Sequence, residues 1–320
     1  MADQKTISLP PALFAFYTLI LFVALFFAIA AWKQSRPGQL ASTPSTATAT
    51  FSPQKSNQPL LQFFVMSFCP YGNQMEAILK PIVDLLGAKA DIKPQYIFDK
   101  IDNLTTYCSS RAGDPTKCSL YVQNKYFPNE TDCQKSISEN LKSCLDEKSY
   151  LKAGNAYYAS LHGRVEANQN VRELCAWKLA DDKKTWWNFV ANVNSNCTSQ
   201  NADTCWEAQS KTAGLDSAKI TECFNQEAIP LIEAEIAQTT KYNISSSPTL
   251  IINGQAFPPD SAYTQDNKGT LKVNKTIFGQ DKYRSPNAIK EAVCAAFNKT
   301  PKECTTILAD TAASAPGACN

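Results

Sequence analysis

Residues 60–87, LLQFFVMSFCPYGNQMEAILKPIVDLLG, constrain the fold more than any other stretch of the chain. Leu60, Leu61, Phe63, Phe64, Val65, Met66 and Phe68 make a nearly unbroken apolar run of strand length. A strand covered on both faces reads that way. Cys69 follows at the point where strand gives way to helix. Pro70 suits a first helical turn, because the amide it lacks would be unpaired there. Met75, Ile78, Leu79, Ile82, Leu85 and Leu86 then recur at helical spacing, and Gly87 suits a stop. Lys80-Pro81 predicts a kink. A thiol at a helix start faces unpaired amides and the positive end of the helix dipole, and both favour the nucleophilic thiolate. Pro70, Tyr71 and Gly72 form the turn after it, so the segment is half of a CxxC, with Gly72 where a second cysteine would stand.

The rest of the composition narrows the setting. With 31 basic and 29 acidic residues in 320, no charge excess or basic stripe points to nucleic acid. The 12 cysteines are too many for an ordinary cytosolic chain, and none forms the close CxxC pairs of a zinc site. Disulfides in an oxidising compartment are the expectation, with no metal and no cofactor. Residues 1–11 are a short polar start. Residues 12–32 carry no charge and are long enough for one bilayer crossing, read as an uncleaved signal anchor rather than a signal peptide cut near Ala28-Ile29-Ala30. Lys33 and Arg36 outweigh Lys5 and would hold the C-terminal side in the cytoplasm, whereas the cysteine count argues the opposite. The cysteines decide, because a bias of one basic residue is small. Residues 33–59, rich in Ser, Thr, Pro, Ala and Gln, read as a flexible tether.

Beyond the opening unit, residues 91–99 read as a second strand, with Pro94 marking an edge or a start. Strand, helix, strand makes a right-handed parallel crossover. Residues 103–240 are a long interruption with helical patterns over 165–179, 186–193 and 217–239, the last interrupted by Pro230. Residues 249–252 form a strand, and Asn253-Gly254 turns it into Gln255-Ala256-Phe257. Ser247, Pro248 and Thr249 enter that strand as thioredoxin-like proteins enter theirs after a cis proline, a bond used deliberately. Residues 285–297 are a helix with a Ser cap and Pro at the first position. Residues 305–320 read as a flexible tail. The expected fold is therefore α/β: a thioredoxin-like domain over 60–304 with a large cysteine-rich helical insertion, preceded by one transmembrane helix.

His162, Gly163, Glu166, Asn170 and Cys175 stand at the spacing of a known signature. The segment resembles that of the gamma-interferon-inducible lysosomal thiol reductases, which runs C-Q-H-G, two residues, E-C, two residues, N, four residues, C. Ser160 and Ala167 stand where that family has cysteines, and Leu161 replaces its Gln. The likeness extends through Trp187, Cys197, Cys205 and Cys223 to residues 292–304. It implies a thioredoxin-like fold with a helical insertion, as in bacterial oxidoreductases of the DsbA type, and reduction of protein disulfides. Of the family's CxxC only Cys69 carries over. His162, the single histidine, reads as a capping or hydrogen-bonding group within the insertion. Sequons at Asn103, Asn129, Asn196, Asn243, Asn274 and Asn298 are compatible with an exported chain.

Sequence-near pairing predicts Cys108 with Cys118, Cys133 with Cys144, and Cys294 with Cys304. Cys175, Cys197, Cys205 and Cys223 supply two further bonds in an open order, and Cys319 is left over. The expected function is thiol–disulfide exchange by a membrane-tethered, extracytoplasmic domain with one attacking cysteine, Cys69. Its partners would be disulfide-containing proteins or small thiols, and release would need an external thiol. A non-catalytic thioredoxin-like binding module with a disulfide-stabilised recognition surface is the alternative. A third reading bonds Cys69 to a cysteine of the insertion.

Overall fold

The computed structural model describes residues 48–263 and 269–311. The apolar segment 12–32, most of the tether and Cys319 lie outside them. Among the described residues no helix is long and apolar enough to cross a membrane.

In chain order the elements begin β1 (Thr48–Phe51), β2 (Leu60–Val65), α1 (Pro70–Leu86), β3 (Asp91–Tyr96) and β4 (Asp99–Ile101). The insertion continues with α2 (Leu104–Ala112), α3 (Cys118–Gln123), α4 (Glu130–Lys148), β5 (Leu151–Ala153), β6 (Ala156–Ala159), α5 (Arg164–Leu179), α6 (Lys183–Asn196), α7 (Ala202–Thr212) and α8 (Ser217–Lys241). The chain then returns through β7 (Thr249–Ile252), β8 (Gln255–Phe257), β9 (Thr270–Val273), β10 (Thr276–Gly279) and α9 (Pro286–Ala295).

The central sheet has the order β3-β2-β7-β8. β2 runs parallel to β3 and antiparallel to β7, and β7 is antiparallel to β8. A β2-α1-β3 crossover followed by a β7-β8 hairpin and a closing helix is the mixed α/β thioredoxin-like arrangement. Pro94 lies in β3, an edge strand, opposite Phe63. Asn253 and Gly254 both have positive φ, 46° and 85°, as a tight hairpin turn between two strands requires. Alternate residues of β2 serve opposite faces. Phe63 packs against Trp186 and Trp187 of α6, with ring centroids 6.3 and 5.5 Å away. Phe64 meets Tyr242 at 6.1 Å on the other side. Both faces being covered is why the apolar run has no alternation. Gln62, the exception, is buried and donates to Gln95 and Gln238.

Several expectations are corrected. The tether ends earlier than residue 59: β1 pairs in parallel with β9, and Phe51 is buried in the core. Its partner lies more than two hundred residues away, and Thr-Ala-Thr-Phe carries little apolar pattern to announce the pairing. The tail is also shorter, because Asn287 donates to Ala309 O at 3.0 Å and to Asp310 at 3.0 Å. Buried Lys290 likewise donates to Thr306 O. The insertion is not purely helical; its β5 and β6 form a small antiparallel sheet with β4, which immediately precedes it. Pro230 does not interrupt α8, which runs through it.

The disulfides are nested where sequence-near pairing predicts neighbours. Cys108 bonds Cys144 and Cys118 bonds Cys133, correcting the expected Cys108–Cys118 and Cys133–Cys144 pairs. The reason is the hairpin of helices: α2 and α3 both lie along α4, so its two cysteines, about three turns apart, meet partners in reverse order. Cys175 bonds Cys223, Cys197 bonds Cys205, and Cys294 bonds Cys304. Cys175–Cys223 ties α5 to α8, and the span of 48 residues makes it the longest loop closed.

Candidate active site

Cys69 is the N-cap residue of α1, and Pro70 opens the helix. It is buried and is the one free cysteine among the described residues, which removes the reading that bonds it to the insertion. Its Sγ lies 3.8 Å from Ser247 O. The Ser247–Pro248 peptide is cis, as is Phe257–Pro258, which no sequence pattern singles out. Thr249 Oγ1 donates to Ser246 O at 2.7 Å, tightening the loop that presents Pro248. Tyr71 is exposed beside the thiol, whereas Gly72 is buried. A Cβ added at Gly72 would meet Ser247 Oγ at 3.1 Å and Met66 O at 3.2 Å. Ser247 Oγ itself is buried with no hydrogen-bond partner among the described residues.

The signature residues of α5 hold the two residues ahead of Cys69. Asn170 Oδ1 accepts from both the amide and the hydroxyl of Ser67, at 2.9 and 2.7 Å. Glu166 Oε1 accepts from the Phe68 amide at 3.0 Å. Glu166 also accepts from Ser160 Oγ at 2.6 Å and from the His162 amide, while His162 Nδ1 lies 2.8 Å from Oε1. Ser160 thus stands at a cysteine position of the resembled family with a polar task of its own, and Ala167 is simply buried. Gly163 has φ 96°, and a Cβ there would meet Glu147 Oε2 at 2.9 Å, so the N-cap of α5 admits only glycine without a shift. His162 is therefore bound to Glu166 and is linked to the thiol's loop through it. Hydrogen bonding to Glu166 raises the His162 pKa. Burial works against the Glu166 carboxylate, but its bonds to His162 and Ser160 outweigh that and leave it below the usual carboxylate range.

A second layer of acids underlies this loop and has no counterpart among the residues the sequence motifs pick out. Ser67 Oγ also lies 3.1 Å from Glu173 Oε2, and Tyr96 and Gln169 donate to that carboxyl group. Burial pushes Glu173 up to about 7. Glu76 of α1 is held well above the usual range by burial and then by the nearby Glu173 charge, while Asn194 donates to it at 2.6 Å. Glu235 accepts from the Tyr96 amide, and burial raises it to about 7. These acids were hidden because each sits at a helical position where a charged residue ordinarily faces water.

The acids fix the pH dependence of stability. Glu173 and Glu235 keep a proton in the folded chain between pH about 4.5 and 7 that the unfolded chain releases, so stability falls as pH rises through that window. His162 acts in the same direction: its contribution is present below its unfolded pKa and is lost as pH rises through the folded value. Glu166 opposes, losing its contribution as pH falls below the usual carboxylate range. Thermal unfolding is expected to occur about 5 °C higher at pH 5.5 than at pH 8. Glu235→Gln should flatten that difference, and a midpoint that rises with pH would contradict the assignment.

Among the described residues no cluster of His, Cys, Asp and Glu is built to hold a metal. The site offers one thiol, a backbone edge at Ser247–Pro248 and an acid-supported loop. A model of the vacuolar sorting receptor thioredoxin-like domain matches residues 102–260. That span takes in the insertion and the cis-Pro248 loop and leaves out Cys69. Vacuolar-sorting receptor 4 of Arabidopsis thaliana is 24% identical over 140 residues, covering 38% of this chain and 22% of the receptor. Vacuolar-sorting receptor 1 of Pisum sativum is 23% identical over 182 residues, covering 52% of this chain and 26% of the receptor. The match thus spans about a quarter of the length of these relatives. Among solved structures, the cytosolic disulfide reductase DsbM from Pseudomonas aeruginosa aligns with 73% of this chain and 95% of its own at a TM-score of 0.35 and 9% identity. The strand order and the matched domain model carry the fold assignment, and that distant likeness adds nothing to it.

Proposed function

We propose that this protein performs thiol–disulfide exchange through Cys69, on an extracytoplasmic domain tethered by residues 12–32. The observation that carries it is the one free thiol among the described residues, at a helix N-terminus and 3.8 Å from the carbonyl that precedes cis-Pro248. All the other cysteines among the described residues are bonded. Those five bonds support an oxidising compartment. The resemblance of residues 162–175 to the thiol reductases gives further support, and the hydrogen bonds from that same segment to the 67–69 loop give it a physical meaning.

In the first step Cys69 thiolate attacks one sulfur of a substrate disulfide. A new S–S bond forms to Cys69, the substrate S–S bond breaks, and the departing thiolate takes a proton from solvent. Gly72 supplies no second thiol. A free thiol of the substrate, or a small thiol such as glutathione, attacks the mixed disulfide and restores Cys69. Isomerisation is redox-neutral within one substrate, and removal of glutathione is balanced by a second glutathione that departs as oxidised glutathione, so both suit this site better than net dithiol reduction.

The matched receptor domain favours a second reading, in which the insertion is a recognition surface and Cys69 does no chemistry. Refolding of a scrambled disulfide protein in a glutathione buffer separates the two. In a Cys319→Ser background, Cys69→Ser is expected to reduce the rate at least a hundredfold, to the uncatalysed level. Equal rates for the two proteins would favour the binding module.

A further inference from the structure

Beside Pro248 lies a cleft of about 180 Å³ that runs from Met75 of α1 to the second cis proline, Pro258. One wall is an aromatic pair: buried Tyr283 and half-exposed Tyr263, with ring centroids 6.0 Å apart and edge to face. Tyr283 donates to Ala262 O at 3.3 Å, which fixes that wall. Two charged residues, Asp260 and Arg284, also line the cleft. They form no salt bridge with each other. Arg284 makes no ion pair or ring contact among the described residues. A guanidinium beside a fixed aromatic wall, with its fork of donors unspent, matches a carboxylate bidentately.

We propose that this cleft is a subsite for a carboxylate carried close to the sulfur that Cys69 attacks, and that Arg284 is its specificity-determining residue. The inference rests on the exchange reading of Cys69. Met75 belongs to the helix that Cys69 caps, and Pro248 follows the residue whose carbonyl meets the thiol. The cleft thus lies along the helix and the loop that frame the thiol, with Met75 about 9 Å of helix rise beyond Cys69, and a group in it belongs to a substrate that extends past the attacked disulfide. Arg284 would anchor the carboxylate, and Asp260 on the same cleft would accept from a neighbouring ammonium or amide. The bond changes are those of the first exchange step: Cys69 sulfur joins one substrate sulfur, and the other leaves as a thiolate bearing the electron pair. Two sources present this chemistry, a small carboxylate-bearing thiol such as glutathione and an acidic side chain next to a protein disulfide.

The test measures the rate of Cys69 modification by two chromogenic disulfides, anionic dithiobis(nitrobenzoate) and neutral dithiodipyridine, in a Cys319→Ser background. Arg284→Glu is expected to lower the ratio of anionic to neutral rates about tenfold, because a rim charge of the wrong sign repels the approaching carboxylate. Lys219→Glu, an equal change of net charge at an exposed position of α8, should move the ratio less than about twofold by the same reasoning. A ratio that Arg284→Glu leaves within that control overturns the subsite while Cys69 reactivity stands. No reaction of Cys69 with either reagent overturns the exchange reading and the subsite with it. Oxidised glutathione and a peptide disulfide flanked by Glu or by Gln then identify the source: loss confined to glutathione indicates the small thiol, and loss confined to the Glu peptide indicates the protein substrate.

Discussion

Glu166→Ala is expected to destabilise the domain by about 3 kcal/mol and to lower the exchange rate at Cys69 at least tenfold. The carboxylate has no exposed surface and accepts from the Phe68 amide, Ser160 Oγ and the His162 amide, with His162 Nδ1 at 2.8 Å. Alanine removes the shared acceptor of four polar groups, two of them, on Phe68 and Ser160, buried and two, on His162, part-buried. The loss is large because hydrogen bonds to a charged group are the strong ones and each donor must be desolvated regardless. The kinetic loss follows from position: Phe68 directly precedes Cys69, so the amide that Glu166 fixes sets where the thiol sits relative to Ser247. Urea unfolding measures the first effect, and the rate of Cys69 reaction with a disulfide measures the second. Glu166→Gln keeps one acceptor oxygen but brings an NH₂ group toward other donors, and should fall between the two. A loss below about 1 kcal/mol for alanine, within the range of an ordinary surface change, would contradict the clamp.

Gly72→Cys is expected to change the chemistry outright. With one attacking thiol, the mixed disulfide waits for an external thiol; a second thiol three residues on attacks it at an effective concentration no solution thiol matches. The variant should therefore isolate under air with Cys69 bonded to the introduced thiol, and once reduced it should reduce protein disulfides stoichiometrically without glutathione. The cost in stability is about 1 kcal/mol, since the new Cβ meets Ser247 Oγ at 3.1 Å and Met66 O at 3.2 Å. The hydroxyl can rotate away, but the carbonyl cannot. Intact mass before and after reduction reads the result: a variant that remains a dithiol in air would show that the turn geometry does not bring the two sulfurs together.

Much of this site is legible in the amino-acid order, because its parts are local. A strand, Cys69, Pro70 and an amphipathic helix follow one another within a single unit, and Ser247-Pro248 immediately precedes its strand. Local periodicity and proline chemistry are what a sequence displays most directly. The nested bonds of Cys108 with Cys144 and Cys118 with Cys133 were not legible, since nothing in the spacing says that α4 folds back along α2 and α3. β1 escaped for a similar reason: its partner β9 is more than two hundred residues away, and four residues carry too little pattern to pair by themselves. The buried acids Glu76, Glu173 and Glu235 look like solvent-facing helix residues until tertiary packing covers them. Their role as support beneath the Ser67–Tyr96 region belongs to the assembled fold alone.

The most direct test of a single attacking cysteine is the intact mass of the Cys319→Ser protein after exposure to a protein disulfide. One covalent adduct, localised by digestion to Cys69, is expected to persist when the thiol released on the substrate is alkylated as it forms, and to disappear when glutathione is then supplied. Absence of any adduct, or an adduct that resolves although the released substrate thiol is blocked and no other thiol is present, would contradict a single attacking cysteine.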